Sequence, residues 1–423
     1  MIDVQPQKRP ERALLVGLEQ GGASKWDVAD SLEELRELAS SAGAHVVSTV
    51  TQRLDRPTAP YYIGKGKAQA IKQSFEDQQV TSVIFDNELS PAQGRNLEHL
   101  FSRKVLDRTQ LILDIFAQRA RSREGRLQIE LAQLQYLLPR LTRMWTHLSR
   151  QTGGIGTRGP GETQLEVDRR RVQERIAKLE RELEGVRKVR GVQREGRRRH
   201  HWPVAAVVGY TNAGKSTLLN LLTGADVLAA NRLFATLDPT TRSITLPNKQ
   251  RMLLTDTVGF LRNLPHMLIE SFKATLEEVS EADLLIHVVD ASHPRVDDHI
   301  AAVDGVTKEL GAYCKQTLLV FNKVDALKNS EAIKAYQHRF PGSVAISART
   351  GEGVGDLIQA LQNKVTSWHL HLRFRVPLTN SSLIAEIHRV GRVLELHYEG
   401  EAAVIVAHVP PQLEQKLAPF AEK

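Results

Sequence analysis

Residues 204–217 read Val204-Ala205-Ala206-Val207-Val208-Gly209-Tyr210-Thr211-Asn212-Ala213-Gly214-Lys215-Ser216-Thr217, an apolar run that ends in glycine and runs on through a turn to Lys-Ser-Thr. Gly209, Gly214, Lys215 and Ser216 fit the phosphate-loop pattern G-x-x-x-x-G-K-[ST]. The apolar run before it and Leu218, Leu219, Leu221 and Leu222 after it supply the strand, loop and helix the pattern needs. Glycines let the backbone curl so that successive N–H groups point at a polyphosphate, while Lys215 reaches the outer phosphates and the Ser216 hydroxyl binds Mg²⁺. The helix that follows turns its positive end toward the anion.

Working outward, the other parts of a guanine-nucleotide site follow in order. Asp256-Thr257-Val258-Gly259 comes after the apolar Met252–Leu254. A carboxylate at a strand end suits the Mg²⁺ shell, and Gly259 lets a backbone N–H approach a γ-phosphate. Asn322-Lys323-Val324-Asp325 follows Leu318–Phe321. Asp325 accepts from the ring N–H and exocyclic amine of guanine; adenine lacks these donors and would leave the carboxylate unpaired, so GTP is expected over ATP. Ser347-Ala348-Arg349 follows Val344–Ile346 and offers backbone N–H groups to the guanine carbonyl. Between the first two motifs, Phe234-Ala235-Thr236-Leu237-Asp238-Pro239-Thr240-Thr241 has no apolar period and reads as a switch loop, with Thr236, Thr240 and Thr241 all candidates to reach Mg²⁺. Ser243–Leu246, a turn at Pro247–Lys249 and Arg251–Thr255 read as a hairpin joining this loop to Asp256.

Two positions bear on catalysis. After Gly259, where many GTPases use Gln to orient water, stands Phe260, which offers no hydrogen bond, so intrinsic hydrolysis is expected to be slow. Asn212, inside the phosphate loop, either caps the loop locally or coordinates K⁺ beside the phosphates.

Upstream, residues 12 to about 118 alternate short apolar runs (Ala13–Leu18, Ala44–Val50, Val80–Phe85, Lys104–Leu106) with amphipathic segments (Val28–Ser40, Ala68–Phe75, Ala92–Phe101), as in an α/β domain with a parallel sheet. Gly64-Lys65-Gly66-Lys67 at a helix start is either an anion site or a plain loop. Leu127, Leu131, Leu134, Leu138 and Leu141, then Val172, Ile176, Leu179, Leu183 and Val186, step by three and four, the seams of an antiparallel helical hairpin, with Pro139 near the end of its first helix. Its connector holds five glycines between Gly153 and Gly161, with Arg158, and suits contact with folded RNA. Arg187–His201 carries seven basic residues against one acidic, Glu195, and reads as a basic linker. Downstream, Arg392–Tyr398, a Glu399-Gly400 turn and Ala402–Val409 read as strands of a small α+β domain. The division is residues 1–118 (α/β), 119–190 (hairpin), 191–201 (linker), 202–367 (nucleotide domain) and 368–423 (α+β).

Composition limits the alternatives. A chain of 423 residues with 41% hydrophobic and 25% charged residues is globular with several domains. A single cysteine, Cys314, excludes a disulfide framework and is expected to pack near a strand border. No apolar run is long enough to cross a bilayer and no signal peptide is seen, so a cytoplasmic chain is expected, without an integral membrane segment. The net charge of +8 favours a nucleic-acid partner.

The GKGK loop, Phe85-Asp86-Asn87-Glu88-Leu89-Ser90-Pro91, the run from Gly153 through Arg171 (GGIGTRGPGETQLEVDRRR) and the FATLD and DTVGF switches resemble the HflX family of ribosome-associated GTPases along almost the full length. The resemblance implies an N-terminal α/β domain with a helical arm, a GTPase domain, binding to the large ribosomal subunit, and splitting of stalled ribosomes under heat or other stress. It carries nucleotide binding onto Gly209 through Ser216, Phe234 through Asp238, Asp256 through Gly259, Asn322 through Asp325 and Ser347 through Arg349, with Mg²⁺ on Ser216 and Thr236. Catalytic roles fall on Lys215, Thr236 and Gly259. Arg349 stands where many GTPases place Lys. ATP hydrolysis and RNA unwinding are associated with the family, but the sequence holds no second complete nucleotide motif. The chain is expected to act as a monomer. A GTP-gated RNA maturation or modification factor, or a ribosome-biogenesis GTPase, is the alternative; a modification enzyme would need a catalytic cluster outside the GTPase domain, and none is read.

Overall fold

The computed structural model describes residues 11–20, 25–141, 164–198, 202–224, 233–234, 237, 239–262, 265, 273–327, 331–368, 370–390, 392–409 and 414–422. Contacts divide the chain into two compact units, one of Met1–Gly185, Asn231–Leu237 and Asn263–Phe272, the other of the remaining residues.

The first unit is built on a parallel sheet in the order β2-β1-β3-β4, with β1 Arg12–Glu19, β2 His45–Arg53, β3 Ser82–Phe85 and β4 Lys104–Asp107. β1 buries six consecutive residues, as a parallel strand covered on both faces must. Helix α1 Lys25–Ser41 packs on β1 and β2, and α2 Lys65–Gln73 and α3 Phe75–Gln78 cover the core around Phe75, Phe85 and Phe101. Helix α4 Pro91–Phe101 starts on a full capping box, Ser90 with Gln93, and a proline in its first turn. Helix α5 Arg108–Arg119, unread in the sequence, begins where Asp107 Oδ1 accepts from Gln110 N at 2.9 Å.

Helix α6 Arg123–Leu141 spends Leu127, Leu131 and Tyr136 on burial, and packs against α5 and α4. The Tyr136 hydroxyl donates to Asp107 Oδ2 at 2.6 Å, and Arg140 stacks over the Tyr136 ring while donating to the Leu89 carbonyl. Helix α7 Gln164–Arg198 buries Leu179 and Leu183, and Arg175 grips Glu130 of α6 through two bonds of 2.6 and 2.8 Å. The basic run read as a linker is helical through Arg198. The glycine-rich connector, 153–161, lies outside the described residues.

The second unit carries a six-stranded sheet in the order β10-β9-β8-β5-β7-β6, made of β5 Val204–Gly209, β6 Thr240–Thr245, β7 Arg251–Asp256, β8 Leu284–Asp290, β9 Gln316–Asn322 and β10 Val344–Ala345. Only β6 is antiparallel, closing the expected hairpin with β7. From β5 the chain passes to one side of the sheet and then returns to the other, so the crevice at the carboxyl ends of β5 and β8 is the position where such sheets bind ligands. One face is sealed by α8 Lys215–Thr223 and the helix Val354–Trp368, the other by the helices Val296–Glu309 and Glu331–Arg339.

The last segment forms an antiparallel sheet in the order β12-β13-β11-β14, with β11 Leu370–Pro377, β12 Arg392–Glu399, β13 Ala402–Val409 and β14 Ala421–Glu422, backed by the helix Ser381–Val390. Strand β11 and that helix add to the two strands expected. Cys314 lies at a strand border as expected, in the turn before β9, but it is exposed instead of packed. Among the described residues no helix is long and apolar enough to cross a membrane.

Candidate nucleotide site

The loop after β5 curls because three of its residues have positive φ, Gly209 at 154°, Asn212 at 59° and Gly214 at 93°. At Gly209 a side chain would also run into the Val288 carbonyl, and at Gly214 into the Asn322 amide, so glycine is required on two counts at each. Asn322, buried at the end of β9, donates to the Ala213 carbonyl at 2.8 Å and accepts from Ala348 N at 2.9 Å. It fastens the phosphate loop to the Ser347–Arg349 turn. The Ala348 N–H, expected to meet a guanine carbonyl, is bonded to Asn322 here, because the Asn amide oxygen lies within its reach.

Lys215 is buried, and its Nζ donates to the carbonyls of Tyr210 at 2.7 Å and Gly209 at 3.1 Å. The lysine expected to reach outer phosphates therefore folds back onto its own loop, which supplies acceptors to an ammonium otherwise desolvated. Burial pushes its pKa down to about 8, against the pull of Asp256. Ser216 Oγ donates to Asp256 Oδ2 at 2.7 Å. A hydroxyl and a carboxylate oxygen this close, at the start of a helix and the end of a strand, are hard oxygen donors that fit Mg²⁺.

The segment after Asp256 lies along the phosphate loop as a parallel bridge between Tyr210 and Phe260. Thr211 N donates to the Phe260 carbonyl at 2.8 Å, Phe260 N donates to Gly209 at 3.1 Å, and Arg262 N donates to the Tyr210 hydroxyl at 2.8 Å. A Cβ on Gly259 would sit 2.8 Å from Thr211 Cγ2 and 3.0 Å from Lys215 Nζ, so this residue is packed against the lysine. Phe260 is 1% exposed; its ring is turned into the fold. Tyr210 stacks flat on His299 at 3.9 Å, and His299 on His293 at 4.2 Å. Burial, then the neighbouring His293, lowers the His299 pKa to about 4, which keeps it neutral at pH 7. This three-ring stack went unread in the sequence, where a lone aromatic inside a phosphate loop carries no signal.

On the other side of the crevice, Ser347 Oγ donates to Asp325 Oδ1 at 2.7 Å, which fixes the plane of that carboxylate. Lys323 adopts a left-handed backbone, φ 64°, and its ammonium pairs with Asp290, which no motif had marked. Arg349 is exposed, and Val258 and Thr257 are buried beneath the loop, with Thr257 Oγ1 donating to the Val207 carbonyl.

Of the switch, Ala235, Thr236 and Asp238 lie outside the described residues. Phe234 and Leu237 are buried and belong to the first unit, where Phe234 meets Phe116 edge-to-face at 4.5 Å. Thr240 pairs across the hairpin with Asp256, and Thr241 Oγ1 lies 3.0 Å from Thr255 Oγ1. In the Gly64–Lys67 loop, Gly64 N donates to Gln52 Oε1 at 2.8 Å.

Comparison with known proteins places this architecture. Residues 204–323 match the family model described as 50S ribosome-binding GTPase, residues 29–117 that of the GTP-binding GTPase N-terminal region, and residues 119–197 that of the GTP-binding GTPase middle region. The protein named GTPase HflX from Lacrimispora saccharolytica is 46% identical over 97% of this chain and 96% of its own. GTPase HflX from Escherichia coli K12 is 46% identical over 89% and 88%. A solved structure, described as the crystal structure of SsGBP and GDP complex, aligns with 84% of this chain and 99% of its own at 27% identity and TM-score 0.48.

Proposed function

The chain belongs to the HflX family of GTPases, a family of ribosome-associated GTP hydrolases, and from that membership we propose that its GTP-bound form binds the large ribosomal subunit, splits stalled ribosomes under heat or other stress, and is released on hydrolysis. The observation that carries the reading is the match of residues 204–323 to a model of 50S ribosome-binding GTPases. The composition of α7 supports it: residues 187–198 hold six basic residues against one acidic, a charge balance suited to rRNA phosphates.

Lys215, the Asp256–Gly259 segment and Thr236 act on the phosphates, and Asn322, Asp325 and Ser347 on the base. Mg²⁺ would be held by Ser216 and Thr236 with Asp256 beside them, and supplies positive charge where negative charge develops on the transferred phosphoryl group. Lys215 Nζ lies close to Gly259 and is bonded to the Gly209 and Tyr210 carbonyls, so binding of the γ-phosphate is expected to draw the lysine away from these acceptors. Since Phe260 brings no hydrogen bond to the attacking water, the ribosomal particle completes the site by reorganising these segments. Asn212, exposed on its left-handed turn, is the residue we assign to K⁺. The test is GTP turnover with purified 50S subunits: stimulation at least tenfold above the free rate is expected, on the order of a missing electrostatic contact, and an unchanged rate would contradict the proposal.

A further inference from the structure

Asp290 belongs to none of the motifs that mark the nucleotide site, yet it ends β8 in the crevice, paired in register with Asn322 at the end of β9. Both oxygens of its carboxylate are engaged. Oδ1 accepts from Ser292 N at 3.0 Å and Ser292 Oγ at 2.6 Å, and Oδ2 pairs with Lys323 Nζ at 2.6 Å. The Asp290 side chain is 15% exposed and that of Lys323 31%, so the pair is partly shielded from solvent, where a charge-assisted hydrogen bond keeps more of its strength than at an open surface.

Lys323 needs such a hold. It sits two residues before Asp325 on a left-handed turn, and a long lysine side chain loses much rotamer freedom when it is fixed. The Ser292 bonds orient the Asp290 carboxylate before any ligand arrives, and Ala291 N donates to the Asn322 carbonyl at 2.9 Å, tying the same turn to the base-side loop.

We propose that Asp290 is a positioning residue for guanine-nucleotide binding: it fixes the Lys323 ammonium so that the lysine's aliphatic stem lies ready beside the base and ribose next to Asp325. The inference rests on the assignment of Asp325 to the base. Base and ribose are common to GDP and GTP, so the contribution is the same for both.

The test is equilibrium titration of the full chain with fluorescent GDP and a fluorescent non-hydrolysable GTP analogue, for wild type, Asp290→Asn, Lys323→Met and the double variant. Asp290→Asn is expected to raise both Kd values by about tenfold, because binding must then immobilise a lysine side chain that the free protein no longer holds. The double variant is expected to bind no more weakly than Lys323→Met alone, a cancellation that a purely structural role at the end of β8 would not produce. Additive losses in the double variant, a change confined to one nucleotide, or wild-type affinity in either single variant would overturn the proposal. Should Asp290→Asn not fold, Asp290→Ser is titrated in its place, and wild-type affinity there overturns the proposal equally. Asp325→Asn, run in parallel, separates the two claims: if it weakens guanine binding while Asp290→Asn does not, only the role of Asp290 fails.

Discussion

Replacing Asp325 with Asn is the perturbation whose outcome the geometry specifies most fully. Ser347 Oγ donates to Oδ1 at 2.7 Å, so Oδ1 shares its acceptor sites between Ser347 and the ligand while Oδ2 would accept from the ligand. Asn has the same shape, and its amide oxygen keeps the bond from Ser347; the NH₂ group must then take the place of Oδ2. Guanine presents an N–H and an amine at that edge, so donor meets donor, whereas xanthine presents a carbonyl that accepts. The guanine nucleotide loses a charge-assisted hydrogen bond of about 1.5–3 kcal/mol, which raises its Kd about 10- to 150-fold. Competition against a fluorescent nucleotide with GDP and XDP measures both affinities. A GDP affinity within about twofold of wild type, or no gain for XDP, would refute the assignment, since a twofold change is below half a kcal/mol. Adding Ser347→Ala to the Asp325→Asn variant frees the new amide to flip, and part of the xanthine preference should disappear.

Four further outcomes are expected. Tyr210→Phe removes the acceptor for Arg262 N, a neutral bond of about 0.5–1.5 kcal/mol, and should improve the affinity for a GTP analogue relative to GDP by roughly two- to tenfold, because it loosens the segment that packs Gly259 on Lys215; an unchanged ratio in nucleotide titrations would show that the contact is not coupled to the γ-phosphate. Chelation of Mg²⁺ should abolish GTP turnover, and restoring the ion should return it, as followed by phosphate release. Intrinsic turnover should be faster in KCl than in NaCl at equal ionic strength, and Asn212→Ala should erase the difference; equal rates in wild type would remove K⁺ from the account. Deleting Gly153–Gly161 should leave turnover of the free protein nearly unchanged while impairing ribosome-stimulated turnover, and full stimulation after deletion would leave those glycines as a connector only.

How much of this was legible in the sequence follows from where each signal lies. The phosphate loop, the Asp256 segment and the β6–β7 hairpin are local patterns, and local geometry decides them. Helix α5 was not read because Leu111, Ile112, Leu113, Ile115 and Phe116 are all buried, so a helix sealed on several sides shows no period of 3.6. Strand β11 did carry a signal: Leu370, Leu372, Phe374 and Val376 alternate with His371, Arg373 and Arg375. The first seam was read as one side of a helical hairpin, and α6, which carries it, also packs against α5, a contact that no spacing reveals. The site shows the same division. Asn322 was recognised by its motif, but its bonds to Ala213 and Ala348 span more than a hundred and more than twenty residues. Tyr210 on His299 and Asp290 on Lys323 are likewise products of strand order, which brings the ends of β5, β8 and β9 side by side.

Sedimentation with ribosomes tests the central proposal most directly. Whole 70S particles are incubated with the protein in a non-hydrolysable GTP analogue or in GDP and resolved on a gradient. In the analogue, 70S particles are expected to convert to subunits and the protein to migrate with the large one, while in GDP the particles stay whole and the protein remains at the top. Equal comigration in both nucleotides, or intact 70S particles in the analogue, would contradict it.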